Sequence, residues 1–550
     1  MDIQSVDSDQ SKIDKLIDIV NKHLKFVPGV SLGIIKENGV YIYTAGNIAN
    51  ASDELINQDT LFSLSSVTKV LTTILVMRLM EKKKVELDHL VYQYLPNFKF
   101  RNLEQGGKIT VGHLLMHASG LDSIFPCFYK KSDESLKDHV LNTVSKIIQV
   151  SEPGNLFNYS SANFNLLGFI CEQVTGQAFE DLINQYVAVP LGINKIQFAC
   201  KELYRDRNVA VGHIYKNRKL EQVPYIEYNP AFHPSTQVFM NIGDLSKIVQ
   251  LLLNDGFIDG KKYLNPASVA LMKTPKVKVF TASGDYFGYG LCIKESGKRQ
   301  FIHEGNGMGY YSKIFLLPNQ KIGIAMLSNS SMYGLSSKIT HHIVNSFGAD
   351  LDETNEHFPN LSYIHKNYIR HQFYNHYYAA DATGIIISMY YEEQNLYLDY
   401  VDTSRGTAVR KKIVRYDRGR YSIVMGTELK KIAIIKDSKS NLVRNIIIAT
   451  VCFHPMIELY ETEKALNKYC GVYVGQFENS QREERIEICF SENSELVMST
   501  EDNTKYILHT YQEIGFFSSA FGIVEFEERE NQIWGVRIKY MQYFRKVKNG

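Results

Sequence analysis

Ser66 and Lys69 stand three residues apart at the head of an apolar run, 67–80, that reads as a buried helix. Positions i and i+3 share a helix face, so the Lys69 amine reaches the Ser66 oxygen. A serine hydroxyl is a weak nucleophile until a neighbour takes its proton, and a lysine kept dry, with a lowered pKa, can take it. A second stretch, Pro153-Gly154-Asn155-Leu156-Phe157-Asn158-Tyr159-Ser160-Ser161, reads as a turn that delivers a short extended piece to Tyr159. A helix then starts, with Leu166, Leu167, Phe169, Ile170 and Val174 as its apolar side. Beside a lysine ammonium the phenol at that corner is expected to have a lowered pKa and to carry protons. The third stretch is His303-Glu304-Gly305-Asn306-Gly307-Met308-Gly309-Tyr310, followed by two β-rich runs joined at 318–321. Gly305 and Gly307 would let a substrate lie along a strand edge, with backbone N–H groups there forming half of an oxyanion hole. No P-loop ending and no strand–Gly-x-Gly-x-x-Gly–helix context surrounds these glycines, which argues against phosphate binding.

In this order, the three stretches resemble the serine β-lactamase and penicillin-binding-protein superfamily, above all its class C β-lactamase-like branch of esterases, D-aminopeptidases and D-amino-acid-specific peptidases (the peptidase S12-like members). The resemblance runs from about residue 28 to about residue 347. It includes Leu61-Phe62-Ser63-Leu64-Ser65, Pro190-Leu191-Gly192 and Phe287-Gly288-Tyr289-Gly290-Leu291. Leu114-Leu115-Met116-His117-Ala118-Ser119-Gly120-Leu121 is similar to that branch's Leu-Leu-x-His-x-Ser-Gly. The implied fold is α+β, a β-lactamase/transpeptidase-like domain in which helices flank an antiparallel sheet beside an all-helical subdomain.

The resemblance also implies roles. Ser66 would be the acylated nucleophile and Lys69 its base. Tyr159 would return the proton to the leaving group and help activate the deacylating water. His303, where many relatives carry lysine, would bind the substrate carboxylate side or support Tyr159. The oxyanion hole would be the N–H groups of Ser66 and Asn306, Gly305 would border the substrate, and His117 would brace the loop near the site. Ser161 departs from the asparagine of many relatives, so that contact is expected to be water-bridged, shifted or supplied by Asn163. His113 and His117 have the i, i+4 spacing of zinc ligands, but no glutamate follows the first, and neither a metal nor a cofactor is expected. The implied function is hydrolysis of an amide or ester of a small compound or short peptide, D-amino-acid derivatives among them. The alternatives are a β-lactamase or D-alanyl-D-alanine carboxypeptidase, and a non-catalytic ligand sensor of the same fold.

Composition agrees with an enzyme core plus more chain. The 550 residues are 44% hydrophobic, with 61 basic and 59 acidic side chains, so charge implies neither nucleic-acid nor membrane binding. Seven scattered cysteines, no Cys-x-x-Cys pair, no signal-peptide pattern and no run of eighteen apolar residues lead to the expectation of a cytoplasmic protein. An amphipathic first helix is expected at 11–24. The catalytic domain is expected to span 1–348, followed by a linker at 349–365. Two echoing, strand-rich stretches, 366–460 and 461–550, read as antiparallel barrel-like modules, the pair being similar to the lipocalin-like domain of several family members. These modules would either serve as a packing or homo-oligomer surface or limit substrate size.

Overall fold

The computed structural model describes Val20, Leu351, Cys470, the C-terminal strands between 377 and 546, and residues 27–349 except 38, 51, 122–131, 148, 150, 206–207, 217–218, 280–284, 296–297, 331 and 333–334. The chain forms two compact units, one of Met1–Leu121, Cys127–Val279 and Ser283–Asn355, the other of Asp122–Pro126, Phe280–Ala282 and Glu356–Gly550.

The first unit is built on an antiparallel sheet of eight strands: β1 (Gly29–Lys36), β2 (Gly39–Gly46), β3 (Val277–Lys278), β4 (Tyr286–Phe287), β5 (Cys292–Lys294), β6 (Gln300–Gly307), β7 (Tyr310–Leu317) and β8 (Ile322–Ser328). Their order is β3-β4-β5-β6-β7-β8-β1-β2. Both β7 and β8 are buried along their whole length, because each face of the sheet is covered. Strand side chains alternate between faces. Ile322, Ile324 and Met326 therefore join one core with Ile339, Ile343 and Val344, while Gly323 faces Val249 on the other side. Those partners come from helices packed on opposite faces, Leu335–Ser346 and Ile242–Leu253. Fully burying each such aliphatic side chain stabilises the sheet by about 1.5–3 kcal/mol.

The helix expected at 67–80 is α1 (Thr68–Glu81). It is apolar all round and buried on nearly every side, as a central helix must be. A 3-10 turn, Ser65–Val67, precedes it and carries Ser66. Ser65 has φ +44°, a left-handed conformation uncommon for serine, so the nucleophile stands on a strained corner. The second expected helix is α2 (Ser161–Thr175), which ends at Gly176 with φ +72°. In the third stretch, Met308 and Gly309 have φ of +49° and +75°, the geometry of a two-residue hairpin turn between β6 and β7. Strand β5 pairs with β6 only at 300–302, which leaves 303–307 unpaired on that side among the described residues.

The expected helix at 11–24 lies outside the described residues apart from buried Val20, and so does most of the expected linker. Ala349 is buried in the sheet's core and Leu351 packs against it, so the catalytic fold runs past the boundary drawn at 348. In the second unit, eight strands from Tyr377–Ala380 to Val451–Pro455 close into a barrel. Nine more, from Gly471–Gly475 to Gln542–Lys546, form an antiparallel sheet in which first and last strands pair at Tyr473↔Lys546. The barrel closes in the same way, at Tyr378↔Pro455, so both modules follow one meander. The second is an open order with Lys505–Ile507 and His509–Tyr511 at its two ends, where the sequence reading expected a barrel.

Candidate active site

The side chain of Lys69 emerges from the first turn of α1 with no exposure to solvent. Its Nζ lies 3.4 Å from Ser66 Oγ and donates to the Ser235 carbonyl at 2.9 Å. Around it stand apolar walls, with Nζ 5.0 Å from the Tyr159 ring centroid and 5.8 Å from that of Phe164. Burial without a carboxylate partner disfavours the ammonium and pulls the lysine pKa down to about 7. An amine near neutrality has a lone pair for the Ser66 proton. The Tyr159 phenol hydrogen-bonds to Ser66 from the other side. Its pKa is raised well above the ordinary tyrosine value by burial, a rise that the Ser66 bond only partly offsets. This corrects the sequence reading, which expected a lysine ammonium to lower it: a dehydrated lysine brings little positive charge. Tyr159 is therefore a neutral phenol, suited to giving a proton rather than taking one.

His303 is buried, and its Nδ1 lies 2.7 Å from the Gly290 carbonyl oxygen. A carbonyl only accepts, so Nδ1 carries the hydrogen and Nε2 keeps its lone pair. Burial drives the pKa to about 4, with the Lys69 charge adding to the fall and the Gly290 bond opposing it. A neutral imidazole offers no positive charge to the substrate carboxylate that the resemblance assigned to it. Its ring lies 6.5 Å from that of Tyr159. His117 grips the tyrosine from both flanks. Its carbonyl accepts from Asn158 N–H at 2.8 Å and its Nδ1 accepts from Ser160 N–H at 3.2 Å. The ring itself lies 4.1 Å from the Tyr159 ring. His113 Nδ1 is occupied by the Thr110 N–H in a helix cap.

Gly305 faces the nucleophile turn. A Cβ there would stand 2.3 Å from Ser312 Oγ, 2.4 Å from the Leu64 oxygen and 2.9 Å from Ser66 N. The missing side chain is what lets β6 approach the Ser66 N–H. Gly305 thus spaces the strand from the nucleophile instead of contacting substrate through a side chain. Asn306, the next residue, is exposed on the unpaired stretch of β6. Because Leu64 O and Ser66 N are backbone atoms, Gly305→Ala must push strand and turn apart. That displacement is expected to lower kcat/KM about 100-fold, since oxyanion donors act only at short range. Steady-state ester hydrolysis checks it, and a loss under threefold would mean that this approach is not needed.

Ser161 begins α2 and is partly exposed, and no hydrogen bond joins it to Lys69. Asn163, expected as its substitute, is fully buried. Its Oδ1 accepts from Ser119 Oγ at 2.6 Å and its Nδ2 lies 3.3 Å from His117 Nδ1, so the amide braces His117 and does not line the cleft. Two partners escaped the sequence reading, the carbonyls of Ser235 and Gly290. Backbone acceptors leave no signature in residue type.

A family model described as "Beta-lactamase" matches residues 16–339. The chain belongs to the beta-lactamase family. Within this family it is a serine hydrolase. It is 27% identical over 315 residues to "Penicillin-binding protein 4" of Amycolatopsis lactamdurans, a match covering 56% of this chain and 82% of that one. It is 25% identical to "Protein flp" of Staphylococcus aureus (strain COL), over 60% of this chain and 65% of the relative's length. Among solved structures, "SurE with D-Leu" superposes with a TM-score of 0.65 at 18% identity, over 82% of this chain and 99% of that one. The octameric penicillin-binding protein homologue from Pyrococcus abyssi gives 0.54 at 23%, over 80% and 99%. EstCE1, "a hydrolase with promiscuous acyltransferase activity", gives 0.53 at 24%, over 62% and 99%. At these identities the superpositions establish the shared fold. No helix among the described residues is long and apolar enough to cross a membrane.

Proposed function

We propose that this beta-lactamase-family hydrolase forms an acyl-enzyme on Ser66 while cleaving an amide or ester of a small compound, D-amino-acid derivatives included. One observation carries the reading: a dry amine with pKa about 7 and a neutral phenol both address one serine oxygen. Lys69 takes the Ser66 proton as Oγ attacks the carbonyl. The N–H groups of Ser66 and Asn306 receive the developing oxyanion. Tyr159 gives its proton to the leaving group and is reprotonated through Ser66 and Lys69. In deacylation the same groups activate water, and the acid product leaves.

The D-leucine named for the SurE structure supports a D-amino-acid derivative. The octameric Pyrococcus abyssi homologue supports self-association, and the free cysteines Cys171, Cys200, Cys292, Cys470 and Cys489 support a reducing, cytoplasmic setting. The test is intact-protein mass spectrometry during turnover of a short-chain nitrophenyl ester, D-alanine anilide and a chromogenic cephalosporin. An acyl adduct on Ser66 with the ester or anilide, released within minutes, is the expected result. A stable cephalosporin adduct with no ester or anilide turnover would favour the sensor, and rapid cephalosporin hydrolysis the β-lactamase.

A further inference from the structure

Residues i and i+2 of a strand share a face. His303 and Gly305 therefore lie on the side of β6 that meets the nucleophile turn, while Glu304 and Asn306 point away. One strand step, about 6.6–6.8 Å, separates the His303 position from the residue that touches Ser66 N. Tyr159, the phenol that serves the leaving group, is the nearest functional ring on that flank. The Gly290 carbonyl fixes which imidazole nitrogen holds the hydrogen.

We infer that His303 is a specificity-determining hydrogen-bond acceptor, which makes the site prefer leaving groups with an uncharged N–H or O–H donor over leaving groups with a carboxylate. The inference rests on the acyl-enzyme reading above and names the substrate class within it. A lone pair on Nε2 completes a hydrogen bond with an amide N–H and repels a carboxylate oxygen. Among the described residues the surroundings supply no compensating cation. Lys69 is neutral for much of its time above pH 7, and His117 and Tyr159 are neutral, burial disfavouring the charged form in each. Lys313 lies at the Glu304 position's partner in β7, 3.2 Å from the Glu304 carboxylate, where its charge is already matched. A buried polar group left without its partner discriminates more steeply than a change in size does.

Three thioesters of one acyl group test this, with thioglycolamide, methyl thioglycolate and thioglycolate as leaving groups. They have similar length and differ in carrying a donor, neither a donor nor a charge, or a carboxylate. Thiol release at pH 7.5 gives kcat/KM for each. The expected order is amide, then methyl ester, then carboxylate, with amide at least tenfold above carboxylate. His303→Phe, which lacks the acceptor, should erase the advantage of amide over methyl ester. His303→Lys, which adds a cation, should bring carboxylate level with or above amide. Equal wild-type values for amide and carboxylate would overturn the inference even if neither variant folded. So would an unchanged ratio in a folded His303→Lys protein. Labelling of Ser66 by a fluorophosphonate is read in the same preparations, because unlabelled wild type would instead sink the acyl-enzyme reading itself.

Discussion

Replacing Ser66 by alanine is expected to lower kcat on every ester and amide by about 10⁴-fold or more and to abolish the covalent adduct. The magnitude follows from the role, since removing a nucleophile removes the route and not just one stabilising contact. Lys69 and Tyr159 would remain, but both are directed at an oxygen that no longer exists. Residual turnover would come from the oxyanion donors and from water held near Lys69. The fold should be little affected, because Ser66 is partly exposed and its loss leaves Lys69 bonded to the Ser235 carbonyl. Unchanged circular dichroism, with no mass increment during turnover, is the checkable pair. An adduct of the same mass on another residue of Ser66→Ala would move the nucleophile elsewhere and overturn the assignment.

The sequence made the serine and lysine legible because a three-residue spacing inside an apolar run leaves one geometry available, a shared helix face. Tyr159 was legible for a related reason: a Pro-Gly turn before a helix start forces a corner, and a corner residue projects. Charge state was not legible. It depends on what surrounds a group in space, and the groups that dry Lys69 come from 159, 164 and 235, distant in the chain. That one omission produced the wrong direction for the Tyr159 pKa, and unseen burial likewise led to the carboxylate role given to His303. Asn163 was placed in the cleft because α2 was read from its apolar side alone, whereas Ser119 and His117 take its amide inward. The strand-rich modules were visible through their alternation. Alternation marks a strand but not whether the last strand closes the ring, and so the second module was expected as a barrel.

The lysine itself provides the other large effect, because its chemistry and its cost to the fold have one origin. Lys69→Met is expected to lower kcat by about 10³-fold, the span ascribed to a positioned general base. The same change should stabilise the protein. A lysine with an ordinary pKa of 10.5 unfolded and about 7 folded binds more protons unfolded throughout that interval, so it destabilises the folded state there. At pH 7.5 the destabilisation is on the order of 4 kcal/mol, at 1.36 kcal/mol per pKa unit. Losing the contacts to Ser66 and Ser235 returns about 2 kcal/mol of this. A net gain of about 2 kcal/mol remains, a rise of several degrees in Tm. The gain should be largest below pH 7 and shrink as pH climbs toward 10.5, because wild-type stability rises with pH across that window while the methionine variant has no such group. In the wild type, kcat/KM should rise with pH through about 7 as the amine loses its proton, and Lys69→Met should lack that limb. Melting curves at pH 6, 7.5 and 9, beside the pH–rate profile, measure both. If the variant is destabilised by the same amount at all three, the lysine is an ordinary buried cation with a hidden partner, and the amine has no lone pair for Ser66.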